Sequence, residues 1–369
     1  MPTRAGIRAL LVLREDASRR FGGDVVQARQ TAAHLRDCGV DATLIESTQP
    51  DARGYDLAHV FGIFEPDVAC AQFDALCAYN IPIVLSPIWW DLRENWFRAR
   101  AIERALHSPI FRSARLRRLQ RRPIASFMRG RPAARFAERI AAQRRLMERA
   151  AALLPNSTAE ATLYREVLGV DHPAVSVVPN AFVAPPPAPQ ASARRGILCA
   201  ARVETRKNQA MLLYALRGLD VPITLLGEEY DPDYSALCRR FAGSNVRFVS
   251  QVAHGDVFTY MRQAAVHVLP SWLETPGIAS LEAAACGARV IVGDRGSERE
   301  YFGQDASYVV PDDPQALRAV VEAALALPAR VADDTLAQRI GGFTWARAAA
   351  LTAAAYARVL TIAGRAATG

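Results

Sequence analysis

Glu274 and Glu282 are the two carboxylates in this 369-residue chain whose spacing most directly suggests chemistry. They lie in the run Leu269-Pro270-Ser271-Trp272-Leu273-Glu274-Thr275-Pro276-Gly277-Ile278-Ala279-Ser280-Leu281-Glu282, which continues to Gly287. An apolar, strand-like stretch (Ala265, Val266, Val268, Leu269) stops at a Pro-Ser loop. Pro276-Gly277 then opens a short helix that Gly287 ends. Glu274 therefore falls in the loop and Glu282 about midway along the helix. The start of such a helix turns backbone N–H groups toward an anionic or hydroxyl-rich ligand. Taken by its spacing alone, the pair fits two surface glutamates around an ordinary helix equally well.

The chain has 45 Lys plus Arg, and Lys207 is its only lysine. It lies in Ile197-Leu198-Cys199-Ala200-Ala201-Arg202-Val203-Glu204-Thr205-Arg206-Lys207. A short apolar strand delivers Arg202 to its end, and Lys207 follows at a helix start. Arginine offers a rigid planar fork and lysine a compact, mobile point charge. A pyrophosphate held by one of each would account for a lone lysine in an arginine-only protein.

Together these residues resemble the signature of retaining GT-B glycosyltransferases, above all family 4, in which two glutamates are separated by seven residues. The resemblance is good over about 175–310 and looser before. Val178-Pro179-Asn180-Ala181 is similar to the family's Pro-Asn-Gly turn, with Ala181 in place of Gly. Leu225-Leu226-Gly227-Glu228 and Val246-Arg247-Phe248-Val249-Ser250-Gln251-Val252 are similar to its strand-end glycine and its base-contacting segment. The family implies an α/β fold of GT-B architecture, with two Rossmann-like parallel-sheet domains facing across a cleft. It implies phosphate contacts from Arg202 and Lys207, the donor sugar at Glu274 and the ribose at Glu282. It also implies donor contacts from Gly22, Gly23, Val252, Pro276, Gly277 and Ile278. The relatives' histidine after the fourth strand is missing. Here the segment reads Leu85-Ser86-Pro87-Ile88-Trp89-Trp90-Asp91. Trp89 and Trp90 could stack on an acceptor sugar and Asp91 could bind its hydroxyl; core packing of both tryptophans is the alternative.

The elements needed to position these residues are legible as two alternations of strand and helix. In the first, strands are expected at Ala9 to Leu13, Val40 to Ile45, Leu57 to Phe61, Ile81 to Leu85 and Ala151 to Leu154. A helix is expected from Asp24 to Cys38, and Val175 to Val178 leads into Pro179-Asn180. Continuous apolar runs of this length suit buried parallel strands. In the second, strands are expected near 197–201, 221–226, 246–249, 266–269 and 289–292. The expected division is 1–182 for the first domain, including an arginine-rich segment 92–150, and 183–195 for a proline-rich linker. The second domain then spans 196–344, and a helix over 345–369 is expected, by the resemblance, to cross back to the first. Gly22-Gly23 would give close backbone approach and positive φ between the first strand and helix.

Composition sets further bounds. No apolar stretch reaches the length of a membrane span, and the run Ile7 to Leu13 is too short for a signal peptide. Six scattered cysteines without a CxxC pair suit reduced thiols in a cytoplasmic protein. No His/Cys cluster has zinc spacing, and Asp231-Pro232-Asp233 matches a metal-binding Asp-x-Asp only formally. Neither cofactor nor metal is expected.

Net charge is +8, yet 92–150 alone holds 17 Arg against four Glu, a net of +13. Apolar residues such as Trp96, Phe97, Ile110, Phe111, Leu116, Leu119, Ile124, Phe127, Met128, Phe136, Ile140 and Leu146 are interleaved with the arginines. This pattern suits an anionic membrane surface or a lipid-linked acceptor, with a solvated face as the plainer reading. Nucleic acid is not expected, since no binding motif accompanies the charge. The expected partners are a nucleotide-sugar donor and a saccharide or lipid-linked acceptor, in cell-surface polysaccharide or glycolipid synthesis. Two competitors stay open: a nucleotide-sugar epimerase or hydrolase on the same architecture, and a non-catalytic membrane- or nucleic-acid-binding protein.

Overall fold

The computed structural model describes residues 6–20, 22–107, 134–186, 194–328, 330 and 334–368. The chain divides into two compact units.

The first unit is built on a parallel sheet ordered β2-β1-β3-β4-β5, from β1 (Ile7–Leu13), β2 (Val40–Glu46), β3 (Leu57–Phe61), β4 (Ile83–Ser86) and β5 (Ala152–Leu153). Helices α1 (Gly23–Leu35) and α2 (Pro66–Cys77) connect the early strands, and α5 (Thr158–Leu168) follows β5. Leu10 to Leu13 are at most 1 % exposed, as expected of a strand covered on both faces. Full burial of each such leucine stabilises the fold by roughly 1.5–3 kcal/mol. His59 on β3 is buried between Tyr356 Oη (2.7 Å) and Ser86 Oγ (2.9 Å), and burial drives its pKa down to about 3. It is thus a neutral structural histidine.

The second unit has a parallel sheet ordered β11-β10-β9-β6-β7-β8. Its strands are β6 (Ile197–Ala200), β7 (Ile223–Leu226), β8 (Val246–Val249), β9 (Val266–Leu269), β10 (Arg289–Gly293) and β11 (Ser307–Val309). Register is continuous, with Ile197 opposite both Ile223 and Val266. Helices include α6 (Gln209–Leu216), α7 (Pro232–Phe241), α8 (His254–Gln263), α9 (Ile278–Ala285), α10 (Glu298–Phe302), α11 (Pro314–Ala326) and α12 (Thr335–Ile340). All eight side chains of α6 are buried, which fits its apolar sequence Gln-Ala-Met-Leu-Leu-Tyr-Ala-Leu.

Val175, in the run that leads into Pro179-Asn180, contributes one isolated bridge to Leu153. Two features differ from expectation. β11 went unread because its sequence, Ser-Tyr-Val, is only three residues long. The second concerns the arginine-rich segment, which the sequence places in the first domain. Its described N-terminal part, 92–107, groups with the second unit instead. A π-turn (Asn95–Ala99) and α3 (Arg100–His107) bury Ala99, Ile102 and Leu106 in the core containing Met211 and Leu213. Glu94 accepts from Arg295 Nε at 2.8 Å, and Glu103 accepts from Thr205 Oγ1 at 3.1 Å. The C-terminal part, α4 (Ala134–Arg149), buries Leu146 and Met147 in the first unit's core. Ile110, Phe111, Leu116, Leu119, Ile124, Phe127 and Met128 lie outside the described residues. The last helix, α13 (Trp345–Thr368), groups with the first unit, where it packs on α1. Among the described residues, no helix is long and apolar enough to cross a membrane.

Candidate active site

In the second sheet the chain moves from β6 outward through β7 and β8, then returns to β9 on the opposite side of β6. The loops after β6 and β9 therefore diverge at the carboxyl edge, the place where open parallel sheets form a ligand crevice. Both loops carry the residues singled out above, and both are fastened. Trp272 N–H donates to Arg206 O at 2.9 Å. Buried Asn208 (φ +63°) donates from Nδ2 to Pro270 O at 3.0 Å and to Pro311 O at 2.8 Å. Asparagine tolerates the left-handed conformation better than most residues, so one side chain both turns the chain and ties the loops together.

The lone lysine and the loop glutamate meet. Lys207 Nζ donates to Glu274 Oε1 at 2.6 Å, with the side chains only 12 % and 7 % exposed. Burial alone would raise the Glu274 pKa; Lys207 and Arg206 outweigh it, and the carboxylate stays ionised below the usual range. Glu204 behaves likewise: burial opposes its charge, but Arg206, Arg202 and Lys207 prevail. Arg202 lies 3.7 Å from Glu204 and stacks over the half-exposed Tyr230 ring at 5.1 Å. Three cations and two carboxylates thus converge on one crevice, which leaves positive charge available to an anion.

Gly277 precedes α9 with φ −69°, so it is there for closeness and not for backbone freedom. A Cβ on it would stand 3.2 Å from Ser280 Oγ and 3.4 Å from Glu274 Oε2. Pro276 is buried and Ile278 partly so. Glu282 is 4 % exposed and accepts from His254 Nε2 at 2.8 Å. Val252, partly buried, packs on the apolar cluster that holds Ala283 of α9 and Cys286 just beyond it. Glu274 and the Pro276–Ile278 corner therefore meet at the start of α9, while Glu282 lies midway along it and Val252 packs on its apolar face.

The Glu282 hydrogen bond raises the pKa of His254 above the ordinary 6.5. The sign follows: the pair's contribution is full on the acid side and fades as pH rises through the folded-state value. With His254 half exposed, the effect on stability is small. A proton NMR titration should find the His254 midpoint above 6.5 in the wild type and lower in Glu282→Gln. Coincident curves would show that the two side chains do not pair.

Gly22 and Gly23 lie where the first sheet's own order reverses, between β1 and β3. Neither has the positive φ expected: Gly22, at φ −150°, is the extended N-cap residue of α1. A Cβ at Gly23 would meet nothing within 4 Å. Trp89 is corrected from an acceptor platform to a core residue. It is 4 % exposed, with its indole N–H donated to Gln143 Oε1 at 2.9 Å. Trp90 and Asp91 are partly buried. Asp231 caps α7 by accepting from Tyr234 N–H at 3.1 Å, a structural role that answers for the Asp-Pro-Asp motif. His254 and Glu298 were missed. His254 carries no pattern of its own, and Glu298 hides in Glu298-Arg299-Glu300, which reads as a solvated helix start.

Residues 194–326 match the family described as Glycosyl transferases group 1. Over 127 residues the chain is 32 % identical to a D-inositol 3-phosphate glycosyltransferase 2 of Catenulispora acidiphila, covering 33 % of this chain and 30 % of that protein. Over 134 residues it is 28 % identical to a GDP-mannose-dependent alpha-(1-6)-phosphatidylinositol dimannoside mannosyltransferase of Mycobacterium tuberculosis, covering 36 % and 35 %. These matches thus span about a third of each curated relative. A solved sucrose-phosphate synthase of Thermosynechococcus elongatus superposes with a TM-score of 0.62 at 16 % identity, over 98 % of both chains. The fold is the GT-B glycosyltransferase architecture, with two parallel-strand sheets flanked by helices.

Proposed function

We propose, from the match of residues 194–326 to the glycosyl transferases group 1 family, that the chain is a retaining glycosyltransferase. It moves a sugar from a nucleotide-diphosphate donor to a saccharide acceptor carried on a lipid. The observation that carries the reading is the Lys207–Glu274 pair beside Arg202 at the sheet's reversal point, with Glu282 eight residues on. Breaking the sugar–phosphate bond builds negative charge on the leaving diphosphate. Arg202 and Lys207 face that charge from fixed positions, and one donor of this kind is typically worth ~10²–10³ in rate. Glu274, ionised and anchored by Lys207, receives hydroxyls of the donor sugar, while Glu282 receives those of the ribose. Retention of anomeric configuration rests on the family 4 likeness. The lipid carrier rests on the +13 charge of 92–150 and on the phosphatidylinositol dimannoside in the name of one relative.

The reaction is proposed to need no metal. The cations already present oppose the diphosphate charge, and among the described residues no group of three or more His, Cys, Asp or Glu is placed to hold an ion. Transfer should therefore persist in excess EDTA, with the product's anomeric configuration, read by NMR, matching the donor's. Loss on chelation that manganese restores would sink the metal-free reading. Release of free nucleoside diphosphate without any acceptor would favour a hydrolase or epimerase.

A further inference from the structure

Glu298 opens α10, is 1 % exposed, and its Oε2 has no hydrogen-bond partner. Its carboxyl is packed beneath the loop that carries Glu274. Gly277 N–H points at its Oε1 from 3.4 Å. Glu274 and Gly296 form a parallel bridge, and Ser297 N–H donates to Glu274 O at 3.2 Å. Gly296 has φ +97°, and a Cβ there would collide with Glu274 O and stand 2.8 Å from Glu298 Oε2. Glycine at 296 thus lets the Glu274 backbone and the Glu298 carboxyl close on one small space.

We propose that Glu298 is a positioning residue for the donor site: a neutral carboxylic acid that braces the Glu274–Gly277 loop and keeps a second negative charge away from the Lys207–Glu274 pair. The proposal rests on reading that pair as part of the donor site.

The surrounding charges favour this state. Glu274 faces Glu298 from the β9–α9 loop, with Lys207 behind it from the turn Thr205–Lys207. Tyr308 on β11 faces it too. On α10 itself, Arg299 lies over the Tyr308 ring at 4.0 Å, and Glu300 adds another acid. Arg295 is paired with Glu94 and Asp294. His267 on β9 also faces the pair, and burial lowers its pKa to about 4, so it brings no positive charge. Lys207, the nearby cation, is bonded to Glu274. Lys207 and Arg206 both act on Glu274, so the second carboxyl of the pair holds on to a proton. Burial first, and then the Glu274 charge, push the Glu298 pKa well above the usual carboxylate range. The two acids titrate as a unit, in which Lys207 keeps Glu274 ionised and Glu298 retains the proton.

Ionising Glu298 would oppose both the bound diphosphate and its development as a leaving group. kcat/KM should then fall about tenfold per pH unit above the pair's upper pKa. The test joins infrared spectroscopy to kinetics on the full-length protein. The wild-type-minus-Glu298→Gln difference spectrum at neutral pH should contain a protonated-carboxyl C=O band. Glu298→Ala should lower kcat roughly tenfold, Gln should rescue it, and Gln should lose the alkaline decline. Absence of the band, an unchanged alkaline limb in Glu298→Gln, or failure of Gln to rescue would each overturn the proposal. The band is read without ligand, so a wild type that shows it yet binds no UDP, GDP, ADP or CDP overturns the donor reading and, with it, the role given to Glu298.

Discussion

Lys207→Ala is expected to lower turnover by about a hundredfold or more, the cost of removing one charge aimed at a developing anion. The structure adds a second consequence. Lys207 is the cation bonded to a buried Glu274. Removing one partner of a buried pair typically costs about 3–5 kcal/mol, because the other charge is left uncompensated. Lys207→Ala should therefore also unfold at lower temperature, unless Glu274 takes up a proton. Arg202 is more exposed, at 28 %, and contacts Glu204 and Tyr230 near the surface. Arg202→Ala should lose turnover on a similar scale with little change in stability. Measuring kcat and thermal unfolding for both variants separates the charge given to the ligand from the charge given to the fold. Near-wild-type turnover in both, with a confirmed donor, would remove the phosphate role from these residues.

Glu274→Ala and Glu282→Ala should fail in different ways. Glu282 pairs with His254 and not with the phosphate cations, so its loss should weaken the free nucleoside diphosphate about tenfold or more, as losing a hydrogen bond to a charged group does. Glu274 occupies Lys207, so its removal frees that cation. Diphosphate affinity should hold or improve while transfer falls ~10²-fold. Titrating the free diphosphate into each variant distinguishes the two. An equal loss of affinity in both would contradict this division of labour.

The parts of the molecule that could be foreseen are those written in short local patterns. Val246–Val249 and Val266–Leu269 are apolar runs between turns, and they form strands with those bounds. Glu274 in its loop, Glu282 on its helix and Lys207 near a strand end follow from a few neighbouring residues each. What escaped depends on distant partners. Trp89 is a core residue because Gln143, far along the chain, accepts its indole N–H. The start of the arginine-rich segment joins the second unit through Ala99, Ile102 and Leu106, a sparse apolar stripe masked by surrounding arginines. Glu298 becomes distinctive only when Gly296 folds it beneath Glu274, which no spacing along the chain reveals.

The central claim is that Arg202 and Lys207 form a nucleoside-diphosphate site on the second unit. Isothermal titration calorimetry of the full-length protein with UDP, GDP, ADP and CDP, in the presence of EDTA, tests it most directly. The account expects saturable binding of at least one of the four, weakened about tenfold or more in Arg202→Ala, since hydrogen bonds to charged groups contribute ~1.5–3 kcal/mol. Binding of none, or equal affinity in the wild type and Arg202→Ala, would contradict it.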